Sequence, residues 1–192
     1  MPRINNEKFY TNAIKLHGQS ARGLNWTSSA HQSIRFDKIL ELLPKDLSSS
    51  VVVDAGCGFG DFYLHLRANG RTPHKYIGID SLKEMCELAS RKTDQEIQNR
   101  DICKDKLPAA DYYICSGALN ILTPFETVQF IQNCYKASKK GFIFNVLHGD
   151  KESDTYNYLS THTIKNIAQE LKVNRVIMQE DYLENDITCM FI

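Results

Sequence analysis

Hydrophobic positions along the chain change their period near residue 50. Before it, "SIRFDKILELLP" sets Ile34, Phe36, Ile39, Leu40 and Leu43 on one broad apolar face and stops at Pro44, which predicts a helix ending one residue earlier. After it, short apolar runs alternate with amphipathic stretches. Strands are expected over 51–55, 76–79, a short one near Gln98, then 112–115 and 142–146, with helices over 61–68, 81–91 and 124–137. Strands alternating with helices make a parallel sheet. Two helix starts read as capping boxes, Ser81 with Glu84 and Thr123 with Glu126, the second with Pro124 as first helical residue.

From Thr163, the residues Ile164, Ile167, Ala168 and Leu171 recur at helical spacing and lead into "VNRVIMQ", "EDYLEN" and "DITCMFI". The two apolar runs are joined too closely for a helical crossover, so they pair antiparallel. The expected architecture is therefore α/β, a three-layer, seven-stranded, mostly parallel sheet with an antiparallel C-terminal strand. A helical cover segment over 1–49 precedes a sheet domain over 50–192, joined through "LSSSVVV".

Length and composition add bounds to this picture. At 192 residues, with 42% hydrophobic and 24% charged residues, the chain is long enough to bury a core without staples. A formal net charge of +0 gives no basic footprint for nucleic acid. The six cysteines form no C-x-x-C pair and "MPRINNEKFY" is polar, so reduced, buried thiols and a cytoplasmic setting are expected. The histidines do not pair at metal-ligand spacing, so no metal is expected, and no apolar run is long enough to span a bilayer.

The chemistry starts at "VVVDAGCGFG", a buried strand running into an acid and three alternate glycines. Such a turn places bare backbone beside a ligand at a helix start. A dinucleotide site needs G-x-G-x-x-G, but the third place is Asp61, and the pattern is D-x-G-x-G-x-G over Asp54, Gly56, Gly58 and Gly60. A nicotinamide cofactor is thereby demoted. Phe59 and Phe62 read as packing residues.

This stretch resembles the first motif of the class I S-adenosylmethionine-dependent methyltransferases, and the resemblance continues down the chain. "YIGID" delivers Asp80 where the family holds both ribose hydroxyls of its cofactor, a task suited to one ionised carboxylate. "NRDICK" places Asp101 and Ile102 where the family meets the adenine, and "DYYICSG" ends in Ser116 and Gly117 beside the methionyl part and the substrate wall. The antiparallel ending also belongs to that Rossmann-like fold. With Cys57 and Ser81, these residues make up the cofactor site that the resemblance implies, for S-adenosylmethionine as donor and S-adenosylhomocysteine as product.

The front segment "LNWTSSAHQSIRF" is similar, through "W-x-S" and "Q-x-x-R-F", to a group of bacterial methyltransferases of small-molecule type. The resemblance implies that Trp26 and Arg35 face the cofactor, Arg35 toward its carboxylate. Packing for Trp26 and a surface ion pair for Arg35 are the alternative. Asn145, in the apolar run "FIFNVL", either ties down neighbouring backbone or points at substrate. "YNYL" and "EDYLEND" are candidates for a far wall.

Methyl transfer from a sulfonium is an in-line displacement that requires alignment rather than a covalent intermediate. A base matters only for a protonated acceptor, and His31, Asn145 and Tyr158 are the candidates. "SGALNIL" stands where amino-methylating nucleic-acid enzymes carry N-P-P-Y or D-P-P-Y, which with the neutral charge favours a small-molecule acceptor. The alternatives are a cofactor-binding protein without transfer activity and a nicotinamide-linked oxidoreductase.

Overall fold

The structure is a computed structural model that describes residues 6–18, 20, 23 and 28–192. Its centre is an eight-stranded sheet of β1 (Val51–Ala55), β2 (Lys75–Asp80), β3 (Glu96–Asn99), β4 (Ala110–Ser116), β5 (Ser138–His148), β6 (Tyr158–Leu159), β7 (Val176–Gln179) and β8 (Asp186–Phe191). The spatial order is β3-β2-β1-β4-β5-β8-β7, with the two-residue β6 pairing with the end of β5. Strands β1 to β5 pair in parallel, while β8 runs antiparallel between β5 and β7. The sheet thus has the expected mixed topology, with β6 as an eighth strand too short to show in the hydrophobic pattern.

The alternation of side chains along each strand divides the core between two faces. One face carries Val53, Ile79, Tyr113, Phe142 and Phe144 against α5 (Pro124–Ala137) and α6 (Thr161–Glu170), which contribute Phe130, Ile131, Ile164 and Ile167. The other carries Val52, Tyr76, Tyr112, Ile114 and Ile143 against α2 (Ser29–Leu42) and α3 (Asp61–Ala68). Phe36, Ile39 and Leu40 of α2 meet Phe62 and Leu66 of α3 there, with Phe36 and Phe62 edge to face at 5.3 Å between centroids. Helix α2 is therefore a layer of the domain itself, capped at its start by Ser28. Ahead of it stands α1 (Asn6–His17).

The expected box of Thr123 with Glu126 forms, both halves present. The one expected at Ser81 does not. Helix α4 (Lys83–Thr93) starts two residues later, with Leu82 at its N-cap and no side-chain cap. The Leu82 N–H goes instead to Asp80 Oδ1 at 3.0 Å, because the β2 carboxylate already sits over that helix start. No described helix is long and apolar enough to cross a membrane.

Candidate functional site

The order β3-β2-β1-β4-β5 reverses direction between β1 and β4, and ligands of open α/β sheets bind beyond the strand ends at such a point. A cavity of about 810 Å³ opens there. The turn after β1 forms its floor. Gly56 has φ +81°, and a Cβ built on it would lie 2.5 Å from the Ala118 Cβ in the short 3-10 helix (Ala118–Ile121) that follows β4. A side chain at Gly56 would both strain the backbone and fill the junction of the two strand ends. Gly60, at φ +78°, is the N-cap of α3 and is pressed against the Thr93 side chain.

The turn is fastened to β2. Gly56 and Cys57 both donate their backbone N–H to Ile79 O, at 2.8 and 3.0 Å, and Gly58 donates its own to Asp80 Oδ2 at 3.0 Å. The Cys57 thiol turns toward the space left by Gly78, where a Cβ would come within 2.9 Å of its sulfur, and burial pushes its pKa well up. Cys57 thus offers the cavity its backbone and keeps an inert thiol.

Of the carboxylates that line the cavity, Asp80, Asp54 and Asp101 sit in different surroundings. Asp80 is held by Gly58 on one oxygen and Leu82 on the other. Burial raises its pKa, opposed by those same N–H groups of Leu82 and Gly58. Asp54 is buried and accepts the Tyr76 hydroxyl at 2.6 Å. Its pKa is pushed up to about 7, chiefly by burial, with the Tyr76 hydrogen bond opposing and the charges of Asp80 and Asp61 adding. Asp101 is more open. Its Oδ1 accepts the Cys103 N–H at 2.9 Å and its Oδ2 pairs with Lys104 at 2.7 Å, with the buried Ile102 beside it.

On the side of α2, Arg35 is buried and lines the cavity, but its guanidinium is engaged with Asp186 of β8, Nε to Oδ2 at 2.5 Å. Asp186 Oδ1 accepts the Tyr182 hydroxyl at 2.9 Å. Burial pushes the Asp186 carboxyl up, against the opposing charge of Arg35. Arg35 thus lines the cavity and is at the same time the partner of a buried acid, where the alternative expected a surface pair. Gln32, one turn earlier, donates Nε2 to Asp61 Oδ2 at 3.4 Å, and Lys92 is paired with the same carboxylate.

Of the residues expected at the cofactor, Asp54, Gly56, Cys57, Gly58, Asp80, Ser81, Asp101, Ile102, Ser116, Gly117 and Arg35 all line this one cavity. Gly60 stands behind it as the helix cap, and Trp26 lies outside the described residues. None of the three candidate bases lies in its wall. His31 is exposed in the first turn of α2. Tyr158 is in β6, paired with Leu147. Asn145 is fully buried and satisfied: its Oδ1 accepts Ser116 Oγ at 2.8 Å, and its Nδ2 donates to Thr188 Oγ1 at 2.6 Å and Arg35 O at 3.4 Å. It ties β4, β8 and α2 together rather than pointing at a ligand.

Several lining residues carry no motif. Phe9 of α1, Asn120, Phe125 at the start of α5, and Tyr156 reach the cavity from four separate segments. Only "YNYL" gave a sequence signal, and there the wall residue is Tyr156.

Residues 52–141, just under half of the chain, match the family model described as a methyltransferase domain. No curated protein matches the sequence. Among solved structures, magnesium protoporphyrin IX methyltransferase from Synechocystis PCC 6803, with bound SAM, superposes with a TM-score of 0.62 at 15% identity, over 100% of this chain and 85% of its own. A structure described as a putative S-adenosylmethionine-dependent methyltransferase from Listeria monocytogenes gives 0.62 at 19% identity, over 83% and 98%. Human N-acetylserotonin methyltransferase with SAM gives 0.71 at 16% identity, over 98% of this chain and 59% of that longer one. At these identities the superpositions speak for the fold alone: the chain folds as these methyltransferases do, and its residues 52–141 match a methyltransferase domain.

Proposed function

We propose that the protein transfers a methyl group from S-adenosylmethionine to a small-molecule acceptor and releases S-adenosylhomocysteine. Asp80 carries this reading. A carboxylate offers about four lone-pair directions, and the hydrogen bonds from Gly58 and Leu82 take one on each oxygen. One further direction per oxygen remains for two adjacent hydroxyls of a ribose. The Gly56 backbone lines the cavity, and its lack of a Cβ lets the 3-10 helix after β4 close against the turn that forms the floor.

In this reading Ile102 is an apolar contact for the adenine and Asp101 receives its amino group. Ser116, Gly117, Asp54 and the α2 residues Gln32 and Arg35 surround the methionyl end. When bound, the cofactor supplies an electrophilic methyl on sulfur, which an acceptor lone pair takes as the carbon–sulfur bond breaks. The chain's own contribution is to orient and to exclude water. Phe9 of α1 and Phe36 of α2 line the cavity from the front segment, which supports residues 1–49 as the part that closes it.

A small acceptor suits the net charge of +0, and a cavity near the upper end of the roughly 300–1,000 Å³ range of small-molecule sites leaves space for a second ligand. Six free cysteines suit a reducing, cytoplasmic setting. Incubation with methyl-labelled cofactor and a fractionated small-molecule extract tests transfer. Label in a low-mass product is expected; cofactor binding without incorporation across all fractions would identify a binding protein instead.

A further inference from the structure

Asn120 sits in the 3-10 helix after β4, lines the cavity and is only 8% exposed. Its Oδ1 accepts the Leu147 N–H of β5 at 3.0 Å, and its backbone carbonyl accepts the Asn157 N–H at 2.7 Å. The first bond fixes which end of the amide is oxygen, so the Nδ2 end is a donor. Among the described residues that Nδ2 has no partner. That donor opens on the cavity, where a ligand oxygen can take it in place of water.

Three ion pairs in the cavity wall engage charged groups that could otherwise meet the acceptor. Asp61 pairs with Lys92, Lys104 with Asp101, and Arg35 with Asp186. Two aromatic side chains that line the same cavity are largely exposed, Phe125 at 70% and Tyr156 at 38%. Tyr156 is anchored next to Asn120, because its neighbour Asn157 supplies the N–H to the Asn120 carbonyl and ties Nδ2 to Thr127 Oγ1 at 2.8 Å. Exposed aromatics beside one fixed amide donor are the elements of a site for a flat ligand with an oxygen lone pair.

Resting on the methyltransferase reading, we infer that the acceptor is a small planar aromatic compound bearing a phenolic, carbonyl or carboxylate oxygen. Its face packs on Phe125 and Tyr156, and its oxygen takes the Asn120 Nδ2–H. Asn120 is then an acceptor-orienting residue that sets specificity without touching the cofactor's ribose.

The test is calorimetric titration of protein saturated with S-adenosylhomocysteine by 4-hydroxybenzoate, 4-hydroxyacetophenone and the saturated 4-hydroxycyclohexanecarboxylate. Asn120→Asp is the diagnostic variant, since it keeps the oxygen for Leu147 and replaces the donor by an acceptor. At least one aromatic probe is expected to bind the parent more tightly than its saturated analogue, and about tenfold or more weakly to Asn120→Asp. Affinity for S-adenosylhomocysteine is expected to change less than about twofold between parent and variant. Equal probe affinity in both proteins, no preference for the aromatic ring, or no probe binding at all would overturn the inference while leaving the methyltransferase reading intact. Failure of S-adenosylhomocysteine to bind the parent would overturn both.

Discussion

The backbone N–H of Gly58 donates to Asp80 Oδ2 at 3.0 Å, so the turn after β1 and the acid ending β2 are one hydrogen-bonded unit. Asp80 also holds the start of α4 through Leu82. Asp80→Ala therefore loses two internal bonds as well as the ribose acceptor. Affinity for S-adenosylhomocysteine is expected to fall roughly ten- to a hundredfold, with a stability loss of about 1–3 kcal/mol. Calorimetry and denaturant unfolding read the two effects separately; parental affinity in a destabilised variant would leave Asp80 a purely structural role.

Gly56 and Gly70 both have positive φ, +81° and +68°, but only Gly56 has a neighbour where a Cβ would stand. Gly70→Ala is expected to cost about 1–2 kcal/mol from backbone strain alone. Gly56→Ala adds overpacking against Ala118, a further ~1–3 kcal/mol, and displaces the junction that forms the cavity floor. Urea unfolding of the two variants side by side checks the difference, and equal losses would contradict the close approach.

Much of this was legible in the sequence because period and glycine spacing are local signals. The strand and helix alternation, the cap at Thr123, the antiparallel ending and the floor residues Gly56 and Gly58 all come from neighbours in the chain. The misreadings are long-range. Asn145 reads as either a tie or a pocket residue until Thr188, 43 positions away, is found to take its amide. The alternative of a surface pair for Arg35 fails because its partner, Asp186, lies 151 positions away and holds it within the core. Ser81 reads as a cap until the carboxylate of Asp80 takes the Leu82 N–H. Asn120 carries no motif, and its place in the cavity depends on a bond to Leu147 on the next strand.

Asp54 makes stability depend on pH. Its folded pKa is raised to about 7, whereas in the unfolded chain it titrates near ~4. The folded state holds this proton more tightly, so the contribution of Asp54 to stability falls as pH rises through that window. Asp54→Asn keeps an oxygen for the Tyr76 hydroxyl and cannot ionise. Its Tm is expected to rise relative to the parent between about pH 4 and about pH 7 and to level off above, and a Tm difference independent of pH contradicts the assignment.

The Arg35–Asp186 pair joins α2 to β8 inside the core. Asp186→Ala removes the carboxylate that faces the buried guanidinium, at an expected cost of about 3–5 kcal/mol. The double variant Arg35→Met, Asp186→Leu removes both charges and is expected to recover most of that loss. Equilibrium unfolding of the three proteins measures it; additive losses in the double variant would show that the pair is not coupled.

The central claim is that the floor built by Gly56, Gly58 and Asp80 is a site for the methyl donor. Titration of the parent protein with S-adenosylhomocysteine, repeated on Gly56→Ala, tests it most directly. One molecule bound per chain, with affinity lost in a variant that still unfolds cooperatively, is the predicted result. No heat and no thermal stabilisation of the parent at millimolar ligand, or undiminished binding in Gly56→Ala, would contradict it.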